Sequence, residues 1–172
     1  KVEKKWGRKL NLKERRLARD SALAATTSVE AVSSRGHRFS EDISSLPIVL
    51  GNYVEVRDGK TEEFNIETFN HGSATRKVIA IFNEIGLGDD LMRARNGRNI
   101  RAGKATMRGR VHKTPKSVLL VVKEKSGLAQ AARNLPGVDV VVAKDLCAED
   151  LAPGGDIGRL TVFTKDAVEA LN

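Results

Sequence analysis

Ser117-Val118-Leu119-Leu120-Val121-Val122-Lys123 is a β-branched, continuously apolar run, and two more of the same kind follow it: Val138-Asp139-Val140-Val141-Val142-Ala143 and Leu160-Thr161-Val162-Phe163-Thr164. Strands that are apolar at consecutive rather than alternate positions are covered on both faces. Helical patterns lie between them: Leu128 to Leu135, ended by Pro136-Gly137, a helical turn from Asp145 to Leu151, and a last helix from Lys165 to Leu171. Strands alternating with helices predict an α/β fold, a mostly parallel sheet with helices on both faces in the manner of a Rossmann-like sandwich.

Upstream, Pro47-Ile48-Val49-Leu50-Gly51 reads as a short, fully buried strand, and Ser73 to Ile85 as a helix with Val78, Ile81, Phe82 and Ile85 on one face and Gly86 as its stop. Gly88-Asp89-Asp90 starts one more turn. Asn52 to Gly72 is poorly patterned: Val54 and Val56 alternate, Arg57-Asp58-Gly59-Lys60 is a turn, and Phe64, Ile66 and Phe69 form a second strand or an irregular cover. Near the start, Asn11 stands three residues before Glu14, the spacing of a capping box, and predicts a helix over 12–26. Ala18, Ala22, Ala25 and Leu17 share its buried face; Arg15 and Arg19 share another, beside Arg16. Thr27 and Glu30 repeat the capping spacing ahead of a short helix to Ser34, which Gly36 ends.

Charge is placed unevenly. From Leu91 to Lys123 there are ten Lys or Arg and no Asp or Glu, a net +10; Lys1 to Arg19 adds +7; the whole chain carries only +8, so the remainder is −9. Within 96–115 there is no period of 2 or 3.6, and Gly97, Gly103 and Gly109 alternate with Arg and Lys, which describes an ordered or orderable loop. Glycine lets the backbone approach a polyanion while long cationic side chains reach phosphates on either side. One domain over 1–172 is expected, with a basic tail (1–10) and a basic loop (93–116) that bind nucleic acid. The candidate contacts are Lys4, Lys5, Arg8, Lys9, Arg15, Arg16, Arg19, Arg95, Arg98, Arg101, Lys104, Arg108, Arg110, His112, Lys113 and Lys116.

Seven aromatic residues, two of them (Phe82 and Phe163) inside apolar runs, favour phosphate and shape contacts over base stacking. The longest apolar run is too short to cross a bilayer, and a single cysteine, Cys147, fits a reducing compartment, so a soluble protein is expected. The opening Lys1 is expected of a fragment or a processed product. His37, His71 and His112 do not lie at metal-ligand spacing from one another or from Cys147, and no metal site is expected. Gly103-Lys104-Ala105-Thr106 lacks the Ser or Thr that must follow the Lys of a P-loop, with Arg98 where that motif needs its first Gly. Pro153-Gly154-Gly155-Asp156-Ile157-Gly158 lacks the first glycine of a dinucleotide fingerprint and precedes a strand instead of following one. Asp139, Asp145, Glu149 and Asp150 read as caps and dipole partners, and no catalytic constellation can be assembled.

Several motifs in order carry a resemblance. Arg101-Ala102-Gly103-Lys104 with Met107-Arg108-Gly109-Arg110, then Ala131-Ala132-Arg133-Asn134-Leu135-Pro136-Gly137-Val138-Asp139-Val140, then Leu151-Ala152-Pro153-Gly154-Gly155 with Gly158-Arg159-Leu160-Thr161-Val162-Phe163-Thr164, resemble the archaeal and eukaryotic branch of the large-subunit ribosomal protein L-four family. The first helix, Leu12-Lys13-Glu14-Arg15-Arg16 through Ser21-Ala22-Leu23-Ala24-Ala25-Thr26, is similar too. The resemblance implies an α/β core bound to 23S-type ribosomal RNA and to neighbouring large-subunit proteins, in the cytoplasmic ribosome. It implies no catalysis, cofactor, small-molecule substrate or membrane. It also implies that this chain begins where the family's tunnel-lining extension is ending, without the N-terminal strand, and that 52–72 is longer than the family pattern. The competing readings are a nucleic-acid-processing enzyme on a Rossmann-like fold and an extraribosomal RNA-binding regulator.

Overall fold

The computed structural model describes residues 2–57, 60–68 and 74–171. In chain order its elements are α1 (Leu12–Ala25), α2 (Val29–Ser34), β1 (Ile48–Leu50), β2 (Tyr53–Arg57), β3 (Lys60–Phe64), α3 (Ala74–Glu84), α4 (Gly88–Asn96), β4 (Asn99–Ile100), α5 (Lys104–Met107), β5 (His112–Lys113), β6 (Leu119–Val122), α6 (Gly127–Arg133), β7 (Asp139–Val142), α7 (Ala148–Leu151), β8 (Thr161–Thr164) and α8 (Lys165–Ala170). The three apolar runs become β6, β7 and β8, and with β1 they form one parallel sheet in the order β1-β8-β6-β7.

Alternate side chains of the central strand feed two cores. Leu120 and Val122 join Val78 and Phe82 of α3 and Leu128 and Ala132 of α6 on one face. Leu119 and Val121 meet Ala22 of α1, Leu151 of α7 and Ala167 of α8 on the other. Every residue of β6 and β8 is buried, which is why their sequences show no alternation. The α/β reading with helices on both faces therefore holds.

Local expectations differ in places. β1 is an edge strand rather than a fully buried one, with Val49 54% exposed. On α1, Leu17 is 73% exposed and Ala18 is exposed, because only the last turns of this helix reach α7; Ala22 alone is fully buried. Asn11 makes no side-chain cap, and the second helix is capped by Ser28, one residue after Thr27, whose hydroxyl accepts from the Ala31 N–H. Gly88-Asp89-Asp90 opens a nine-residue helix, not a single turn. In 52–72 the alternation of Val54 and Val56 becomes an antiparallel hairpin, β2 with β3. Its turn residues Asp58 and Gly59, together with Phe69, His71, Gly72 and the first residue of the expected helix, Ser73, lie outside the described residues.

Gly158, just before β8, has φ +83°, and a Cβ there would fall on the carbonyl of Ala31 in α2. Left-handed backbone costs a non-glycine residue about 1–2 kcal/mol before any collision. Gly158→Ala is therefore expected to lose at least about 2 kcal/mol, read as a lower urea midpoint at unchanged slope.

Candidate nucleic-acid interface

The basic stretch forms an arm between α4 and β6. Its two sides pair as a short antiparallel ladder, Asn99 opposite Lys113 and Ile100 opposite His112, extended by the Arg101 N–H donating to Val111 O at 2.8 Å. Its tip is the single turn α5, entered through Gly103 at φ +78° and left through Gly109 at φ +76°, with the Arg110 N–H closing onto Ala105 O at 3.0 Å. No side chain of β4, β5 or α5 is fully buried, and Ile100 and Met107 are 73% and 80% exposed. Backbone hydrogen bonds thus shape the arm, while its cations and even its apolar side chains face outward.

What fixes the arm is its base. Asp90 of α4 is wholly buried and accepts from His37 Nδ1 at 3.2 Å, Arg38 N–H at 3.0 Å, Arg93 Nε at 2.8 Å and Ser117 Oγ at 2.6 Å. Arg93 also donates to Lys116 O at 2.7 Å, so one guanidinium and one carboxylate tie the residues entering the arm to those leaving it. Gly97 completes the closure: a Cβ there would lie 2.6 Å from Cγ of Pro115. Burial alone would raise the Asp90 carboxyl, but the hydrogen bonds from His37, Arg93 and Ser117 outweigh it and hold the group far below the ordinary carboxylate range.

A second network sits beside the first. Arg159 is 1% exposed and donates to Ser117 O at 3.2 Å, Asp150 O at 2.9 Å and Asp139 Oδ2 at 2.6 Å; Lys116 reaches the same Asp139 oxygen at 2.7 Å. Burial pushes Asp139 up, yet Lys116 and Arg159 together keep its carboxyl below the usual range. Arg159, Asp139 and Ser117 all lie at or just before the amino ends of β8, β7 and β6, so the arm springs from the amino edge of the sheet.

The opposite edge is where open α/β sheets bind nucleotides, at the point where strand order reverses. Here that point falls between β6 and β8, and Glu67 occupies it: its Oε1 accepts from Lys123 N–H at 2.8 Å and Thr164 Oγ1 at 2.5 Å, and the residue is 6% exposed. Among the described residues no three His, Cys, Asp or Glu gather so as to hold a metal ion. Of the four acids weighed as a cluster, Asp139 serves Arg159 and Lys116, and Asp150 accepts the Cys147 N–H at the start of α7 at 3.1 Å.

The whole chain, residues 1–172, matches the model of the Ribosomal protein L4/L1 family. The chain belongs to that family. It is similar to the large ribosomal subunit protein uL4 of Methanocaldococcus jannaschii, 46% identical over 171 residues, which are 99% of this chain and 61% of the relative. It is similar too to uL4 of Thermoplasma acidophilum, 46% identical over 95% of this chain and 57% of the relative, and to uL4 of Halobacterium salinarum, 41% identical over 98% and 61%. The chain spans about three fifths of the length of these curated relatives.

In this L4/L1 chain, fifteen of the sixteen candidate contacts are exposed; Arg19 is half-buried and paired with Asp20 at 2.8 Å. Lys116 and Arg101 are partly engaged, Lys116 with Asp139 and Arg101 through Nε with His112 O at 3.1 Å. Arg95, Arg98, Lys104, Arg108, Arg110, His112 and Lys113 project from α4 and the arm, whereas Lys4, Lys5, Arg8, Lys9, Arg15 and Arg16 belong to the tail and the exposed half of α1. Among the described residues no hydrogen bond or ion pair joins tail to arm. The sequence reading counted Arg93 in the basic stretch without naming it among the contacts, and the structure turns it inward to Asp90 and Lys116 O; the reading passed over Asp90, Ser117 and Arg159 as site residues. A signal for the last was present: an arginine at the head of an otherwise apolar strand, Gly158-Arg159-Leu160-Thr161-Val162-Phe163, needs a buried partner.

Proposed function

We propose that this chain is a structural, non-catalytic part of the large ribosomal subunit: one α/β domain over 1–172 that binds 23S-type ribosomal RNA through the arm and the basic tail, beside neighbouring ribosomal proteins. The observation that carries the reading is an acid-free arm with its cations exposed and its base locked by two ion pairs, each with one wholly or nearly wholly buried partner, Asp90 and Arg159. The names of the relatives, large ribosomal subunit protein uL4, agree with it. The competing enzyme reading has less support, because the ligand position of such a sheet is taken up by Glu67. An extraribosomal regulatory role has no observation of its own.

The test is selectivity among RNAs of equal charge. The purified chain would be titrated with transcripts of large-subunit and small-subunit rRNA of matched length at physiological salt. A preference of about tenfold or more for the large-subunit transcript, worth about 1.4 kcal/mol, is expected. Equal affinity for both would reduce the arm to a general polyanion binder and sink the ribosomal reading.

A further inference from the structure

Trp6 is the only tryptophan in the chain and lies in the tail with its side chain 79% exposed. An indole is among the costliest side chains to leave in water, and here the described residues leave it largely uncovered. Its surroundings are cationic: Lys4, Lys5, Arg8 and Lys9 lie within three residues of it, against the one acid Glu3. The Lys4 ammonium stands 5.5 Å from the ring centroid, a cation–π arrangement that steadies the ring from one side and leaves the other side open. A flat, open π-face set among phosphate-binding cations has the make-up of a single-stranded nucleic-acid platform, in which cations hold the backbone while a base stacks on the ring.

We propose that Trp6 is a base-stacking site that takes one unpaired base of single-stranded RNA, so that the tail reads an unstacked nucleotide while the arm reads phosphates. This rests on the rRNA reading above and narrows it, since the low aromatic count favours phosphate and shape contacts over base stacking. Charge favours RNA over a protein partner here: an apolar protein groove would have to desolvate four neighbouring cations along with the indole.

Because Trp6 is the sole tryptophan, its fluorescence reports on this site alone. The whole chain would be titrated with single-stranded oligoadenylate RNA, with a fully paired RNA duplex of the same length, and with inorganic polyphosphate, which offers the charge without a base. Strong quenching by the single strand, little by the duplex and little by polyphosphate is expected. Trp6→Ala should weaken single-strand binding roughly fivefold to a hundredfold, the range set by one base stacked on an aromatic ring, with the salt slope unchanged because no charge is removed. Trp6→Phe should restore most of the loss, and neither variant should move the melting temperature. Equal quenching by polyphosphate, or unchanged affinity in Trp6→Ala, overturns the stacking site and leaves charge-driven rRNA binding intact. A lowered melting temperature in Trp6→Ala would also overturn it, by making the indole a structural residue. Failure of the unaltered chain to bind any RNA would instead remove the ribosomal reading and this inference with it.

Discussion

Asp90→Ala is expected to cost about 3–5 kcal/mol of stability, the range found when one partner of a buried ion pair is removed and the other is left behind. The carboxylate is 0% exposed, and its loss strands the Arg38 N–H, Arg93 Nε and the buried Ser117 hydroxyl and leaves buried His37 Nδ1 with only Arg93 Nη2, at 3.3 Å. The same change should weaken RNA binding although it removes no cation. With Asp90 gone, Arg93 loses the group that orients it toward Lys116 O, and the two ends of the arm are no longer held together. Urea melts would give the stability change, and titration with large-subunit rRNA under folding conditions would give the affinity.

The same residue sets a pH dependence of definite sign. In the unfolded chain Asp90 takes up a proton near the ordinary carboxylate value of about 3.9. Folded, it stays ionised to much lower pH, since the hydrogen bonds from His37, Arg93 and Ser117 outweigh its burial. Between those two values the unfolded state binds more protons, so stability rises with pH. The contribution is therefore complete above about pH 5 and drains away as pH falls below about 4. Asp139, held low by Lys116 and Arg159 against its own burial, adds a contribution of the same sign. Asp90→Asn, which keeps the shape and cannot ionise, should be less stable at neutral pH and should lose stability less steeply than the unaltered chain from pH 5 to pH 3, as urea midpoints across that window would show.

Much of the fold could be read from residue order because the central strands leave little choice. β6 and β8 are covered on both faces, and only consecutive apolar residues, as in Leu119-Leu120-Val121-Val122, satisfy that position. Reading failed where burial is partial. α1 has the composition of an ordinary amphipathic helix, but composition does not say that only its last turns meet α7, so Leu17 was placed inside when it stands in solvent. Val49 was expected inside because β1 is apolar, and being an edge strand is a property of the whole sheet. The arm's cations were visible as charge. Its base was not, because Asp90, Ser117 and Arg159 are up to 69 positions apart and meet only when α4, β6 and β8 are assembled. The adjacent acids Asp89-Asp90, just ahead of 33 residues with no Asp or Glu, are the nearest carboxylates in sequence to those arginines, and only the fold shows that it is Asp90 that turns inward.

Changing Arg101, Lys104, Arg108 and Arg110 together to Ala should flatten the slope of log affinity against log salt by roughly 3–4 units. Each cation that neutralises a phosphate releases close to one condensed counterion, with a slope of about 0.9 per contact on duplexes and about 0.7 on single strands. All four side chains are exposed, and all four lie on the outer ladder, turn and tip of the arm, away from the buried clasp at its base. Their removal should consequently leave the fold within about 0.5–1 kcal/mol of the unaltered chain, the larger figure allowing for the bond that Arg101 makes to His112 O. The matched control removes the same charge from Lys60, Lys125, Lys144 and Lys165, which lie outside both basic segments. Titrations with a large-subunit rRNA fragment at several salt concentrations, with thermal melts alongside, decide the matter. Equal flattening in both quadruple variants would mean binding by diffuse charge, with no privileged arm. A much lower melting temperature in the arm variant would mean that the arm supports the core, contrary to its exposure. Flattening in the arm variant alone, at nearly constant stability, is the outcome that follows from a cationic arm shaped by its backbone and locked only at its root.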